Sequence, residues 1–549
     1  MIYPKIPLAQ SVIEICKAKG IQHIIISPGS RNAPLTIGFT NNPFFTCYSI
    51  ADERCAAFFA MGIAQQIQKP VAVVCTSGSA VLNYYPAVAE AFYSQIPLVI
   101  LSADRPQNKI DIGDGQTIRQ ENVFANHILF SANLTELSSN ENDRLINQAI
   151  NSAVENRGPV HINIPFEEPL YETIETLEVH PESIPMNQLS NAFTLEENFI
   201  SQWNQAKKKL ILVGELFPNT LENEIIQKLG DDESIVVLTE ATSNLHHSNF
   251  ITNIDSLITP FLTKDFEAFQ PEILVTFGGM VVSKRIKAFL RKFQPKAHWH
   301  IDKLRAYDTF GCLTEHFKTH PNLFFNQLLT ENTSSDYQKQ FLAIHNFRKQ
   351  KRTIYTNEIP FSDFKVFDFL SKHLPEVCQL QISNSSAIRY FQLFDWSAAT
   401  TIFCNRGTSG IDGSTSTAIG AAITTSKPTI LITGDISFFY DSNALWNNYI
   451  PKNFKIILVN NNGGGIFRIL PGHQETPTFN TFFETSHQLN ALHLAKMFNF
   501  QYFKANSLEE ISENWEAFIS NENQPSVLEI FTPEKLNDKI LLDFFKKLE

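Results

Sequence analysis

Apolar residues along this chain fall into short, nearly continuous runs, separated by longer stretches in which apolar positions recur every three or four residues. Runs of the first kind read as strands buried on both faces, as in parallel sheets, and the intervening pattern reads as amphipathic helices. The first 175 residues place strands at 21–26, 46–50, 71–75, 98–102 and within 158–165, with helices at 8–19 and from Asp52 through Gln66. A second set of strands falls at 210–213, 235–239, 273–277 and 299–301, and a third at 379–382, 401–404, 429–433 and 454–459. Strands alternating with helices predict an α/β chain with mainly parallel sheets. Its 549 residues exceed what one core normally serves, so three consecutive units are expected, at 1–175, 195–335 and 345–549. The polar, unpatterned stretches at 172–195 and 330–350 read as linkers.

The informative polar residues cluster where strands should end. The richest stretch is 427–467, a strand ending in Gly434-Asp435, a helix expected at 442–448, and a second strand ending in Asn460-Asn461-Asn462-Gly463-Gly464-Gly465. Ser437, Asp441 and Asn443 are candidate caps for that helix. In open parallel sheets ligands bind at the carboxyl ends of strands, and an acid, an amide oxygen and a glycine carbonyl together suit a hard divalent ion holding a diphosphate. Taken singly, Gly-Asp after a strand and Asn-Gly runs are ordinary turns; their pairing is what suggests a ligand. At the end of the 21–26 run, Ser27-Pro28-Gly29-Ser30-Arg31 offers backbone donors and a guanidinium, a set that suits a carboxylate or phosphate. Asp52 and Glu53 open a helix and so also read simply as acids favoured by its dipole.

Composition narrows the class. A net charge of -12 argues against nucleic acid, whose phosphates demand a basic footprint, and leaves small molecules as the expected partners. Seven cysteines are scattered without a Cys-x-x-Cys pair and read as reduced core residues. No stretch reaches the length of a membrane span and the N-terminus lacks a signal-like pattern, so the expectation is a cytoplasmic protein. His246-His247, in a polar stretch with no strand end, reads as surface.

Gly-Asp-x-Ser followed at a distance by Asn-Asn after an apolar strand resembles the signature of thiamine diphosphate enzymes. The segments SPGSRNAPL, ADERCAAFFAMG, CTSGSAVLNYYPAVAEA, SADRP, NRGTSGIDG, GDISFFYDSNAL and NNNGGGIF resemble one family among them, along the whole chain. It is the menaquinone-pathway family that makes 2-succinyl-5-enolpyruvyl-6-hydroxy-3-cyclohexene-1-carboxylate. The resemblance implies the thiamine diphosphate-binding fold: a pyrimidine-binding unit, a central unit and a diphosphate-binding unit. It further implies a homodimer or dimer of dimers with the cofactor between the first unit of one subunit and the last of another. Thiamine diphosphate and Mg2+ (or Mn2+) are the implied cofactors, with Asp435, Asn461 and the carbonyl of Gly463 on the metal. Glu53 would face N1' of the aminopyrimidine and Ile411 would prop the bent cofactor, with Ser77, Gly78, Gly434, Ser437 and Gly464 also around it. Ser30, Arg31, Arg105, Gln116, Lys284, Arg285, Ser385, Arg389, Arg406, Ile466 and Phe467 would line the substrate site. The implied reaction decarboxylates 2-oxoglutarate and adds the resulting succinic semialdehyde enamine to isochorismate. Acidic Asp111 and Asp114 depart from the family pattern around Gln116, and the middle unit resembles it mainly at FGGMVVSKR. Lys284 and Arg285 also read as a solvated helix face. Two other readings stay open: a different thiamine diphosphate-dependent 2-oxoacid lyase or ligase, and a non-catalytic cofactor-binding protein of the same fold.

Overall fold

In the computed structural model, which describes residues 1–186, 192–470 and 472–549, three six-stranded sheets follow one another along the chain. The first runs from edge to edge as Thr46–Ser49, His23–Ile26, Val71–Cys75, Leu98–Asp104, Val160–Pro165 and Ser131–Asn133, every neighbour parallel. The third runs as Thr401–Cys404, Gln379–Ile382, Thr429–Gly434, Lys455–Asn460, Ser526–Phe531 and Gln501–Ala505, also parallel throughout. Numbered by position in the chain, both have the order 2-1-3-4-6-5. The middle sheet differs, with Lys209–Val213 at its centre and the order 3-2-1-4-5-6. In the outer sheets the winding direction reverses between the first and third strands, and the crevice outside their carboxyl ends is where such sheets bind ligands. Ser30 and Gly78 follow those two strands in the first sheet, and Ser385 and Asp435 follow them in the third.

The central strands are apolar on both faces because helices cover both sides. Val71–Cys75 and Leu98–Asp104 are buried at every residue, and so is Lys455–Asn460. The two outer sheets are joined within the chain by helices Glu53–Ile67 and Ser414–Ala422. A Cβ on Gly62 would lie 2.1 Å from the carbonyl oxygen of Thr417, and one on Gly420 would lie 2.0 Å from that of Phe59. Only paired glycines allow the two backbones to approach so closely.

Three local expectations are corrected. The stretch read as a linker at 330–350 is largely the helix Tyr337–Glu358, ordered because Tyr337, Phe341, His345 and Arg348 are buried against the middle unit. The helix expected at 442–448 starts at Asp435 instead: Asp435–Tyr440 is the helix and Ser442–Leu445 a single tight turn. Asp441 turns away to accept from the backbone N–H of Ser416 at 2.8 Å, capping a different helix. His246 and His247 are half-buried and not fully exposed: the His247 ring packs against Phe250 and on Gly230, where a Cβ would meet it at 2.0 Å, while its outer edge faces Gln227. Part of the stretch at 172–195 lies outside the described residues. Before it, Thr173–Ile174 pairs with Tyr3–Pro4, and Asn147 bonds to the backbone of Glu182 and Ile184, so this segment is tied to the first unit. All seven cysteines are free, and among the described residues no helix is long and apolar enough to cross a membrane.

Candidate active site

The third sheet carries the denser cluster of polar groups. Strand Thr429–Gly434 runs directly into a short helix whose first residue is Asp435, 3% exposed. Its Oδ1 accepts from the N–H of Ile436 at 2.7 Å and its Oδ2 from the N–H of Gly463 at 2.9 Å. His487 Nε2 lies 3.2 Å from that same Oδ2. The next strand, Lys455–Asn460, delivers Asn461, whose amide nitrogen donates to Asp363 at 3.0 Å. Gly464 is tied back by its N–H to the carbonyl of Glu484 at 2.6 Å.

These groups fit the metal diphosphate that the sequence suggests. One carboxylate, one amide oxygen with no donor against it among the described residues, and a backbone carbonyl are hard oxygen ligands with no thiolate among them, the preference of magnesium or manganese. A Cβ built on Gly434 meets no atom within 4 Å, so the strand end beside Asp435 is open to an approaching phosphate. Ser437 Oγ donates to the carbonyl of Ile411 at 2.6 Å and fastens the 405–413 loop to the same helix.

Ser385, at the end of the first strand, has φ 70° and ψ -127°, a conformation that costs energy for a residue with a Cβ. Arg389, one turn on, donates to the Ser385 carbonyl at 2.5 Å and shares a small cavity with Asn461 and Ile466. Burial, and next the Arg406 charge, hold its guanidinium below the ordinary arginine range. Phe467 stands beside Ile466 in the turn Gly465–Ile469, its ring 6.3 Å from that of Phe483. Arg406 is buried, donates to the Asn384 side chain and leaves its Nε without a partner.

The first sheet presents a second group at the matching edge. Gly78 has φ 90°, and its N–H donates to Gln120 Oε1 at 2.9 Å. Arg105 donates to Ser77 Oγ at 2.6 Å and to the Gln116 carbonyl at 2.9 Å, so three expected site residues meet there. The unexpected acids find cations: Asp111 pairs with Arg119 at 2.7 Å, and Asp114 lies 4.0 Å from Arg105. Arg31 is turned inward, bonding the Phe166 carbonyl at 3.0 Å and Glu168 at 3.2 Å, while Ser30 is exposed. Glu53 is half-buried at the start of its helix, 3.4 Å from the amide nitrogen of Asn83. In the middle unit Lys284 is exposed and Arg285 lies 4.6 Å from the ring of Phe545. Within the chain, among the described residues, no hydrogen bond or ion pair joins Glu53, Arg31 or Arg105 to Asp435, Asn461 or Arg389. The residues on either side of Glu53 do reach the other group, Asp52 accepting from Asn443 at 2.9 Å and Arg54 donating to the Tyr440 carbonyl at 2.9 Å.

Several residues not singled out in the sequence gather where the three units meet. Glu90 accepts from the N–H groups of Gly407 and Thr408, both at 2.6 Å. Glu240 accepts from the N–H groups of Val282 and Ser283 at 2.6 and 2.7 Å. Burial, reinforced by the charge of Glu90, pushes the Glu215 carboxyl up to about 8, and burial pushes Glu240 up to about 7; Arg406 opposes both shifts. Glu215 and Glu240 follow strand ends as Asp435 does, and Glu90 is a lone acid in an apolar helix, so each left a legible signal.

Comparison with known proteins bears on this arrangement. Residues 6–127 match the thiamine pyrophosphate enzyme N-terminal TPP binding domain, 182–382 the middle domain of thiamine pyrophosphate enzymes, and 385–530 the C-terminal TPP binding domain. A 2-succinyl-5-enolpyruvyl-6-hydroxy-3-cyclohexene-1-carboxylate synthase of Flavobacterium psychrophilum is 65% identical over 100% of both chains. The chain belongs to that family of thiamine pyrophosphate enzymes. Synthases of the same name from Christiangramia forsetii, 53% identical over 99% of each chain, and Phocaeicola vulgatus, 38% identical over 98% of each, extend the family likeness. A thiamine diphosphate-dependent 4-hydroxybenzoylformate decarboxylase from Rhodococcus jostii RHA1 superposes with a TM-score of 0.73, covering 96% of this chain and 99% of its own, at 16% identity. That likeness shows the fold alone.

Proposed function

We propose that this thiamine diphosphate-dependent enzyme joins 2-oxoglutarate to isochorismate with loss of carbon dioxide, giving 2-succinyl-5-enolpyruvyl-6-hydroxy-3-cyclohexene-1-carboxylate for menaquinone biosynthesis in the cytoplasm. The observation that carries the reading is the 65% identity over the full length of a synthase of that name. The placing of Arg389 and Asn461 on one small cavity, a guanidinium near an oxygen ligand for the cofactor's metal, agrees with it. We take the functional units as 1–175 for the pyrimidine, 195–335 as central and 345–549 for the diphosphate. The active molecule is a homodimer or dimer of dimers in which the half-site of one subunit faces the complementary half-site of another.

Asp435, Asn461 and the Gly463 carbonyl would hold Mg2+ or Mn2+ and through it the diphosphate. When bound, the cofactor supplies the stabilised carbanion equivalent that decarboxylation of a 2-oxoacid requires. Glu53 would hold a proton at the pyrimidine N1', and Ile411 would press on the cofactor from the 405–413 loop. Both substrates carry two carboxylates, and charge-assisted bonds from Arg389, Arg406 and Arg105 suit them, with Arg31 joining if it exchanges Glu168 for substrate. Ile466 and Phe467 would exclude water from the reacting carbon. Carbon dioxide leaves 2-oxoglutarate, and the remaining four-carbon unit forms one new carbon–carbon bond to isochorismate.

The test is incubation of the purified full chain with thiamine diphosphate, Mg2+, 2-oxoglutarate and isochorismate, with product identified by mass. The expected adduct has the summed mass of the substrates less carbon dioxide. Release of succinic semialdehyde alone would point to a simple decarboxylase instead.

A further inference from the structure

Asn461 can serve a metal only if its carbonyl oxygen, and not its NH2 group, faces the ion. An amide rotates between the two arrangements unless a neighbour distinguishes them. Here the neighbour is Asp363, 2% exposed, the first residue of helix Asp363–His373. One of its oxygens accepts from Asn461 Nδ2 at 3.0 Å, and the other accepts from Thr532 Oγ1 at 2.5 Å. Its backbone N–H donates to Asn537 Oδ1 at 2.9 Å, which fixes where the helix begins. A carboxylate has acceptors only, so the NH2 group of Asn461 is the end it takes.

We propose that Asp363 is a positioning residue for the metal site, selecting the one orientation of the Asn461 amide that presents Oδ1 to Mg2+ or Mn2+. The inference rests on the reading of Asp435, Asn461 and Gly463 as the metal ligands, and adds a residue from a helix about a hundred positions earlier in the chain. Partners of this kind, bonded to a metal ligand rather than to the metal, commonly change affinity by about 10- to 100-fold when replaced. The competing role is purely structural, a cap that ties a helix start to Thr532 and Asn537. The two roles diverge in one substitution. Asp363→Asn keeps the shape but offers an NH2 group of its own, so both orientations of Asn461 become acceptable. It removes a buried carboxylate but also one of the two acceptors that serve Asn461 and Thr532, so the fold should lose less than in Asp363→Ala, which removes both.

The experiment uses the full chain with saturating thiamine diphosphate and titrates Mn2+, reading the free ion by electron paramagnetic resonance. The melting temperature is measured separately without metal or cofactor. Parent, Asp363→Asn, Asp363→Ala and Asn461→Ala are compared. Expected is a rise of about 10- to 100-fold in the Mn2+ dissociation constant for both Asp363 variants, with the metal-free melting temperature lowered less in Asp363→Asn than in Asp363→Ala. Affinity within twofold of the parent in Asp363→Asn, while Asn461→Ala binds weakly, would overturn the proposal and leave the ligand assignment standing. Unchanged affinity in Asn461→Ala would overturn the assignment itself. Failure of both Asp363 variants to fold would return the residue to the structural role and end the proposal.

Discussion

The N–H of Gly463 donates to Asp435 Oδ2 at 2.9 Å, so the loop that ends one strand is fastened to the carboxylate that ends its neighbour. Asp435 does not merely stand near the Asn-Gly loop. It helps fold it, which turns two common turn sequences into one site.

Asp435→Asn should weaken metal and thiamine diphosphate together, because it removes the only formal negative charge among the three proposed metal ligands. Excess Mg2+ should recover part of the cofactor affinity. Calorimetric titration of the cofactor at low and high Mg2+ checks this, and unchanged affinity at low Mg2+ would place the metal elsewhere.

Arg389 and Arg406 should separate on replacement by Ala. On the proposed roles each should lose a charge-assisted bond to a substrate carboxylate, about 1.5 to 3 kcal/mol of binding, seen as a raised KM with thiamine diphosphate affinity kept. Arg406→Ala should in addition lower the melting temperature, since Glu215 and Glu240 lose the cation that offsets them in a buried junction. Steady-state kinetics with a thermal melt of each variant reads both effects.

Glu215 also predicts a pH dependence of stability. Its carboxyl is raised from 4.5 in the unfolded chain to about 8 when folded. The folded state therefore binds more protons than the unfolded one between these values, and stability from this group falls as pH rises through that window. Glu215→Gln should flatten the decline in denaturant midpoint between pH 5 and pH 8.5. An unaltered slope would show that another group titrates.

The sequence made the sheets legible because buried parallel strands are continuous apolar runs, and the polar clusters legible because their residues sit at strand ends. Asp435 could be picked out from its position at a strand end, whereas the role of Arg105 came from the family resemblance. The helix Tyr337–Glu358 could not, since its buried face includes Gln338, His345 and Arg348, and Arg348 is covered by the ring of Phe261 at 5.0 Å, a contact only the folded chain creates. Asp363 was hidden for the same reason: after Ser362 it reads as an ordinary acidic helix start, and its bonds to Asn461 and Thr532 reach across 98 and 169 positions. Lys284 is exposed, in keeping with a solvated helix face, whereas Glu90 and Glu240 are buried where the units meet.

On the proposed function the Glu53 edge and the Asp435 edge are halves of one site contributed by different subunits. Chains carrying Glu53→Gln and chains carrying Asp435→Asn should each be weak alone, the first by about 10²- to 10⁴-fold in turnover. Co-expressed under two affinity tags and isolated as mixed dimers, they should regain one intact site of two. About half of parental turnover is predicted for the purified mixed dimer, counting one restored site. Turnover no higher than that of the better single variant would show that the two edges do not meet across subunits.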